Sequence, residues 1–149
     1  MNYIANDYIE RAVGSALHLI KSWNEDEVLR FNGDVVRYIK ERRTIRVSLP
    51  RQCGKTRYLK SLFYQTKSVL LQLPYAREHF RPELQQYAPK DISSFINFIR
   101  GRNLEKIDFL LIDEPDAQLE LVDEWIEVIR MADLMSKDFI VIKLGTDRK

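Results

Sequence analysis

A single cysteine, Cys53, stands among the 149 residues. No disulfide can close within the chain and no second thiol is present to share a zinc ion, so a reducing, cytosolic setting is the expectation. Glycine and proline are scarce, at five each, and there are no repeats or low-complexity tracts. Apolar runs extend over only a few residues, too short for a membrane-spanning helix. The N-terminal MNYIANDYIERAVG carries acids and lacks a basic segment leading into an apolar stretch, so no secretory signal is expected. A net charge of +2 is too small to imply nucleic-acid binding by itself. What remains, 45% hydrophobic and 31% charged residues, is the composition of one globular domain. At this length a domain buries roughly 68–70% of its unfolded surface.

The small net charge conceals a separation. Val36 to Lys60 holds nine bases (Arg37, Lys40, Arg42, Arg43, Arg46, Arg51, Lys55, Arg57, Lys60) against Glu41 alone, whereas Asp113 to Glu127 holds seven acids and no base. Two readings stand side by side: solvated helix faces of opposite sign, or a polyanion-facing side next to a metal-facing one.

Four short apolar runs read as strands: Thr44–Leu49, Ser68–Leu73, Ile107–Ile112 and Phe139–Leu144. The last three are nearly continuous, as in strands covered on both faces. The first alternates, with Ile45, Val47 and Leu49 opposite Arg46 and Ser48. Helical spacing appears over Thr56–Gln65, over Asp91–Arg100 with Asp91 as cap and Gly101 as stop, and over Ala117–Met135. Upstream, Tyr3–Trp23 forms an amphipathic pattern through Ile4, Tyr8, Ala12, Leu19 and Ile20, and Glu27–Glu41 a second one broken by Asn32-Gly33-Asp34. Pro74–Lys90 reads as a surface loop with at most one helical turn. Alternating strands and helices predict an α/β fold with a mainly parallel sheet and right-handed crossovers. The expected organisation is one domain over 1–149, with a helical N-terminal extension at 1–43 and a core at 44–149.

The first strand runs into Leu49-Pro50-Arg51-Gln52-Cys53-Gly54-Lys55-Thr56 and directly into a helix. Gly-Lys-Thr at such a turn suits a phosphate-binding loop. Gly54 admits close backbone approach, Lys55 reaches the β- and γ-phosphates, Thr56 offers a hydroxyl to Mg2+, and the helix N-terminus attracts the anion. Gln52 and Cys53 lie within the same loop. Leu49 takes the place of the usual first glycine. The third strand ends Ile112-Asp113-Glu114, where Asp113 would hold the metal through water and Glu114 would polarise an attacking water. The alternative for these acids is stabilisation of a following helix dipole. An Asn-Lys-x-Asp guanine motif is absent. The Asp-Glu pair favours the division of ATPases in which an extra strand separates the two motif strands, and this predicts the order 2-3-4-1 in chain numbering. Thr146, at the end of the fourth run, would then sit beside the γ-phosphate.

Pro50-Arg51-Gln52-Cys53-Gly54-Lys55-Thr56 resembles the deviant phosphate-binding loop of the large terminase subunits, the DNA-packaging ATPases of tailed phages and herpesviruses. Phe98-Ile99-Arg100-Gly101 ahead of Ile107–Glu114 is similar to the approach to their second motif, and the likeness spans Ile45 to Thr146. It implies a three-layer nucleotide-binding core using ATP and Mg2+, with Arg51 stabilising γ-phosphoryl charge and Glu114 activating water. Lys55 and Thr56 would bind phosphate and Mg2+, Asp113 would hold Mg2+, and Thr146 would couple hydrolysis to movement. DNA and a protein partner or a second copy are the implied partners, in a host cytoplasm if the source is viral. The family's nuclease domain has no counterpart here, its fifth strand is missing, and Asn32 is the nearest substitute for its adenine-binding Gln. These departures leave a second class of function open: a non-catalytic module whose uncovered sheet edge meets a partner. Leu111–Asp116 also resembles the second motif of ABC-type and SMC-like ATPases, but their Leu-Ser-Gly-Gly-Gln signature is absent.

Overall fold

In the computed structural model the described residues are 3–50, 54–71, 87–89, 91–113 and 122–146, with side chains from Tyr8 onward. Six helices and four strands follow in the order α1 (Tyr3–His18), α2 (Glu25–Arg30), α3 (Val35–Arg42), β1 (Thr44–Leu49), α4 (Lys55–Gln65), β2 (Ser68–Leu71), α5 (Ile92–Ile99), β3 (Ile107–Asp113), α6 (Val122–Met131) and β4 (Met135–Thr146). The strands form one parallel sheet in the order β1-β4-β3-β2, the expected order read from the opposite edge. The fold is therefore α/β with a four-stranded, all-parallel sheet.

Alternation along the strands divides the interior in two. Leu110 and Ile112 of β3 enter a core with Val28, Tyr38, Ile39, Phe95, Trp125, Ile126 and Ile129, from α2, α3, α5 and α6. Leu111, between them, enters the opposite core with Ile9, Val13, Leu59 and Phe63 from α1 and α4. All three β3 side chains are fully buried, each contributing about 1.5–3 kcal/mol of burial. On the edge strand β1, Ile45 and Leu49 face the α1–α4 core while Arg46 and Ser48 are exposed, so the alternating run has one covered face. The N-terminal helices thus take part in both cores, α1 on one side and α2 with α3 on the other.

Local chemistry sets the helix ends. Asn24 Oδ1 accepts from the backbone N–H of Asp26 and Glu27, Asp34 from that of Arg37, and Asp91 from that of Ser94. The break at Asn32-Gly33 is real: both residues adopt positive φ, 59° and 75°, and the chain reverses between α2 and α3. Gly101, at φ 71°, follows α5 as expected.

Several boundaries differ from the sequence expectation. The first helix stops at His18 rather than Trp23, and its buried stripe is Ile9 and Val13 with Ala16, Leu17 and Ile20 packed alongside. Tyr8 and Leu19, expected inside, are 59% and 82% exposed. Two apolar stripes compete on this helix, and the one carrying the β-branched Ile9 and Val13 packs on the sheet. Helix α6 ends at Met131, because Asp133 takes a left-handed conformation (φ 58°) that Asp tolerates better than most residues. Met135, expected at the end of that helix, therefore opens β4. The early part of β4 is irregular against β3, and the regular ladder begins at Ile140. Residues 72–86, 90 and 114–121 lie outside the described set, and with them most of the expected loop Pro74–Lys90 and the start of the Ala117 helix. Of that loop Ala88 is buried in the α1–α4 core and not on the surface.

Arg43 corrects the picture of a uniformly exposed basic segment. It is buried, its Nε donates to the Phe139 carbonyl at 3.0 Å and its Nη1 to the Lys21 carbonyl, and its guanidinium lies 5.8 Å from the Trp23 ring centroid. A planar fork of donors reaches two carbonyls of different segments from separate nitrogens in fixed geometry, whereas a lysine would have to serve both from one nitrogen.

Candidate functional site

The three strand tips converge on one edge of the sheet. In the ladders Leu49 lies opposite Thr146, Ser48 opposite Gly145, and Asp113 opposite Leu144. β4 thus separates the strand that feeds the Gly-Lys-Thr turn from the strand that ends in Asp113. The carboxyl ends of parallel strands in open α/β sheets are where ligands bind, since helix N-termini and loops meet there.

Gly54 precedes α4 with φ 93° and ψ 23°, a left-handed conformation that a side chain would strain. The Tyr58 N–H closes the first helical bond onto the Gly54 carbonyl at 2.9 Å. Helix geometry leaves the N–H groups before it without an i−4 acceptor inside the helix, and Gly54 has no side chain to cap them. The N-terminal end of a helix is the end that favours anions.

Lys55 opens the helix and is only 8% exposed. Both facts work against stability: a cation sits at the positive end of the helix dipole, and burial strips its hydration. Asp113, 4% exposed at the tip of β3, is the second buried charge at this edge. Thr56 Oγ1 donates to Asp113 Oδ2 at 2.6 Å, and Oδ1 of the same carboxylate is also shielded from solvent.

The donor set fits Mg2+. A hydroxyl and a carboxylate are hard oxygen ligands, and Mg2+ is held by few protein oxygens together with water and phosphate. Because Thr56 donates its proton to Asp113, its oxygen lone pairs would be available to such a cation and the Asp113 carboxylate would supply charge beside it. Among the described residues no group of three or more His, Cys, Asp or Glu side chains could hold a metal by itself. His18 is exposed on α1.

Of the residues singled out from sequence, Gly54, Lys55, Thr56 and Asp113 come together at the sheet edge, with Thr146 at the neighbouring strand tip. Arg51, Gln52, Cys53 and Glu114 lie outside the described residues. Asn32 serves as an exposed turn residue between α2 and α3. The sequence reading missed a groove on the outer flank of α4, where Tyr58 faces Glu10 of α1. Arg57, Ser61 and Gln65 recur there at intervals of four, a polar helical stripe that was present in the sequence.

The acidic and basic segments meet directly. Lys40 Nζ of α3 lies 3.0 Å from Asp123 Oδ2 of α6; separately, Arg42 Nε lies 3.5 Å from Glu27 Oε2 of α2, outside the acidic segment. The guanidinium groups of Arg37 and Arg42 lie 5.6 and 5.5 Å from the Phe31 ring centroid. Much of the basic stretch is thus engaged within the fold. No helix among the described residues is long and apolar enough to cross a membrane.

No family model, curated protein or solved structure matches this chain.

Proposed function

We infer that the chain is a Mg-dependent nucleotide-binding protein of P-loop type that hydrolyses ATP. The carrying observation is the 2.6 Å hydrogen bond from Thr56 to Asp113, which ties the turn after β1 to the tip of β3 beside a buried lysine. β4 between those strands supports the additional-strand layout. Gly54 and the first turn of α4 would receive the β- and γ-phosphates and Lys55 would neutralise them. Thr56 and Asp113 would hold Mg2+, which when bound supplies charge neutralisation across the phosphates. Glu114 is assigned to water activation and Arg51 to the γ-phosphoryl charge on sequence grounds alone. Thr146, opposite Leu49 in the β1–β4 ladder, is assigned the sensor role on the same sequence grounds. The likeness of motifs to the large terminase subunits makes DNA the candidate polymer, with a protein partner or a second copy completing the machine.

A second reading has its own observation. β1, which carries the loop, is an edge strand with β4 as its one neighbour among the described residues. An open edge suits a module that binds nucleotide, or keeps only the fold, and acts through a partner. Thermal unfolding with Mg-ATP, with Mg-ADP and without ligand tests both. Saturation at about 100 times Kd adds about 2.7 kcal/mol, a shift of roughly 5–10 °C for a chain this long. Lys55→Ala abolishes the shift, and Glu114→Gln keeps it while stopping phosphate release. Binding without release in the wild type favours the module; no shift with either nucleotide overturns the nucleotide reading.

A further inference from the structure

Between α1 and α4 runs a groove of about 320 Å3, lined by Glu10, Arg57, Tyr58, Ser61, Leu62 and Gln65. That volume lies at the lower end of the range for small-ligand sites, roughly 300–1,000 Å3. Its α4 residues share one helix face, and Arg57 directly follows Thr56. The groove therefore begins one residue from the anion-binding turn. At the helical rise, Ser61 lies roughly 7.5 Å farther along the axis than Thr56.

The lining is chemically specific. Tyr58 is half-buried, and burial first, then the Glu10 carboxylate, hold its phenol above its ordinary pKa. A protonated phenol beside a carboxylate keeps a donor and an acceptor together on the groove wall. Gln65 Nε2 donates to Ser61 Oγ at 3.1 Å, which orients the amide along the same face. An aromatic ring, an amide and a guanidinium from α4, with a carboxylate facing them from α1, match the needs of a nucleotide's base, sugar and nearest phosphate. The ring stacks on the base, the carboxylate accepts from ribose hydroxyls or an exocyclic amine, and the guanidinium reaches phosphate.

We propose that the α1–α4 groove is the nucleoside subsite of the nucleotide site, with Tyr58 against the base or sugar and Glu10 accepting from its O–H or N–H groups. The assignment rests on the nucleotide reading given above. It places the nucleoside along the flank of α4 once the phosphates hold its N-terminus, and it makes α1 part of the ligand site.

Calorimetric binding of Mg-ATP and of inorganic Mg-tripolyphosphate to the full chain tests this, with the wild type, Ser61→Trp and Glu10→Gln. The wild type binds ATP on the order of tenfold more tightly than tripolyphosphate. Ser61→Trp, filling the groove from an exposed position, removes that advantage and leaves tripolyphosphate affinity unchanged. Glu10→Gln weakens ATP severalfold and also spares tripolyphosphate. ATP affinity insensitive to both substitutions overturns the subsite while the triphosphate site stands. Failure of the wild type to bind either ligand overturns the nucleotide reading and the subsite with it. Should Ser61→Trp lose its circular dichroism signature, the exposed, near-isosteric Glu10→Gln decides.

Discussion

Thr56 and Asp113 are joined by a 2.6 Å hydrogen bond between the first turn of α4 and the tip of β3. The donor is on an exposed turn and the acceptor is almost fully buried, so one bond links a surface able to meet a ligand with a charge held in the sheet. That link has a structural and a ligand-binding consequence, and the two separate experimentally.

Thr56→Ala leaves the buried carboxylate without this donor and lowers stability by about 1.5–3 kcal/mol, the usual size for a hydrogen bond to a charged group. Asp113→Asn keeps the shape and removes the charge, so Mg2+ dependence of nucleotide binding is lost while the fold survives. Urea unfolding and calorimetry with and without Mg2+ measure the two effects. A Thr56→Ala chain as stable as the wild type would falsify the link.

Arg43 is expected to matter more to folding than its exposed neighbours Lys40 and Arg42. It bridges the carbonyls of Lys21 and Phe139 from a buried position. Arg43→Ala strands both acceptors and costs about 3 kcal/mol or more. Arg43→Lys recovers little of this, because its single nitrogen lacks the spread between Nε and Nη1 that reaches the two carbonyls. Chemical denaturation of the two variants is the check; full rescue by lysine would contradict the bridging role.

The Tyr58 phenol gives a pH signature. Burial and the Glu10 carboxylate raise its pKa above 10.0 in the folded state. Below the unfolded value the phenol is protonated in both states and stability is unaffected; as pH rises above about 10, the unfolded chain ionises first and stability falls. Tyr58→Phe flattens that alkaline decline, and Glu10→Gln moves the tyrosinate titration to lower pH. Tyrosinate absorbance of the three chains follows both. No movement in Glu10→Gln would separate the two side chains and remove one support of the groove assignment.

The Lys40–Asp123 pair joins the basic and acidic segments, but both partners are substantially exposed, at 44% and 54%. A double-mutant cycle should return a coupling of about 0.2–1 kcal/mol that fades with added salt. Coupling well above that range would mean the pair is shielded by a neighbour in solution.

The linear chain determined a good deal here. Continuous apolar runs of Leu, Ile and Val can be stable only where both faces are covered, which made β3 and the regular part of β4 legible together with the parallel class. Gly-Lys-Thr after an alternating run, and Asp113 closing another, marked the candidate site residues because both fall where a strand ends. The order β1-β4-β3-β2 was likewise reachable from the motif pair. Other features required the packed structure. Which of two stripes on α1 turns inward depends on what the sheet offers, and Ile9 and Val13 met it. Arg43 looks like its basic neighbours in sequence, yet only the meeting of residues 21, 43 and 139 makes it an interior bridge. The groove joining Glu10 to Tyr58 exists because α1 lies along α4, a contact between residues far apart in the chain. Local pattern reports what a segment can bury; long-range packing decides what it is buried against, and so which polar groups are left lining a groove.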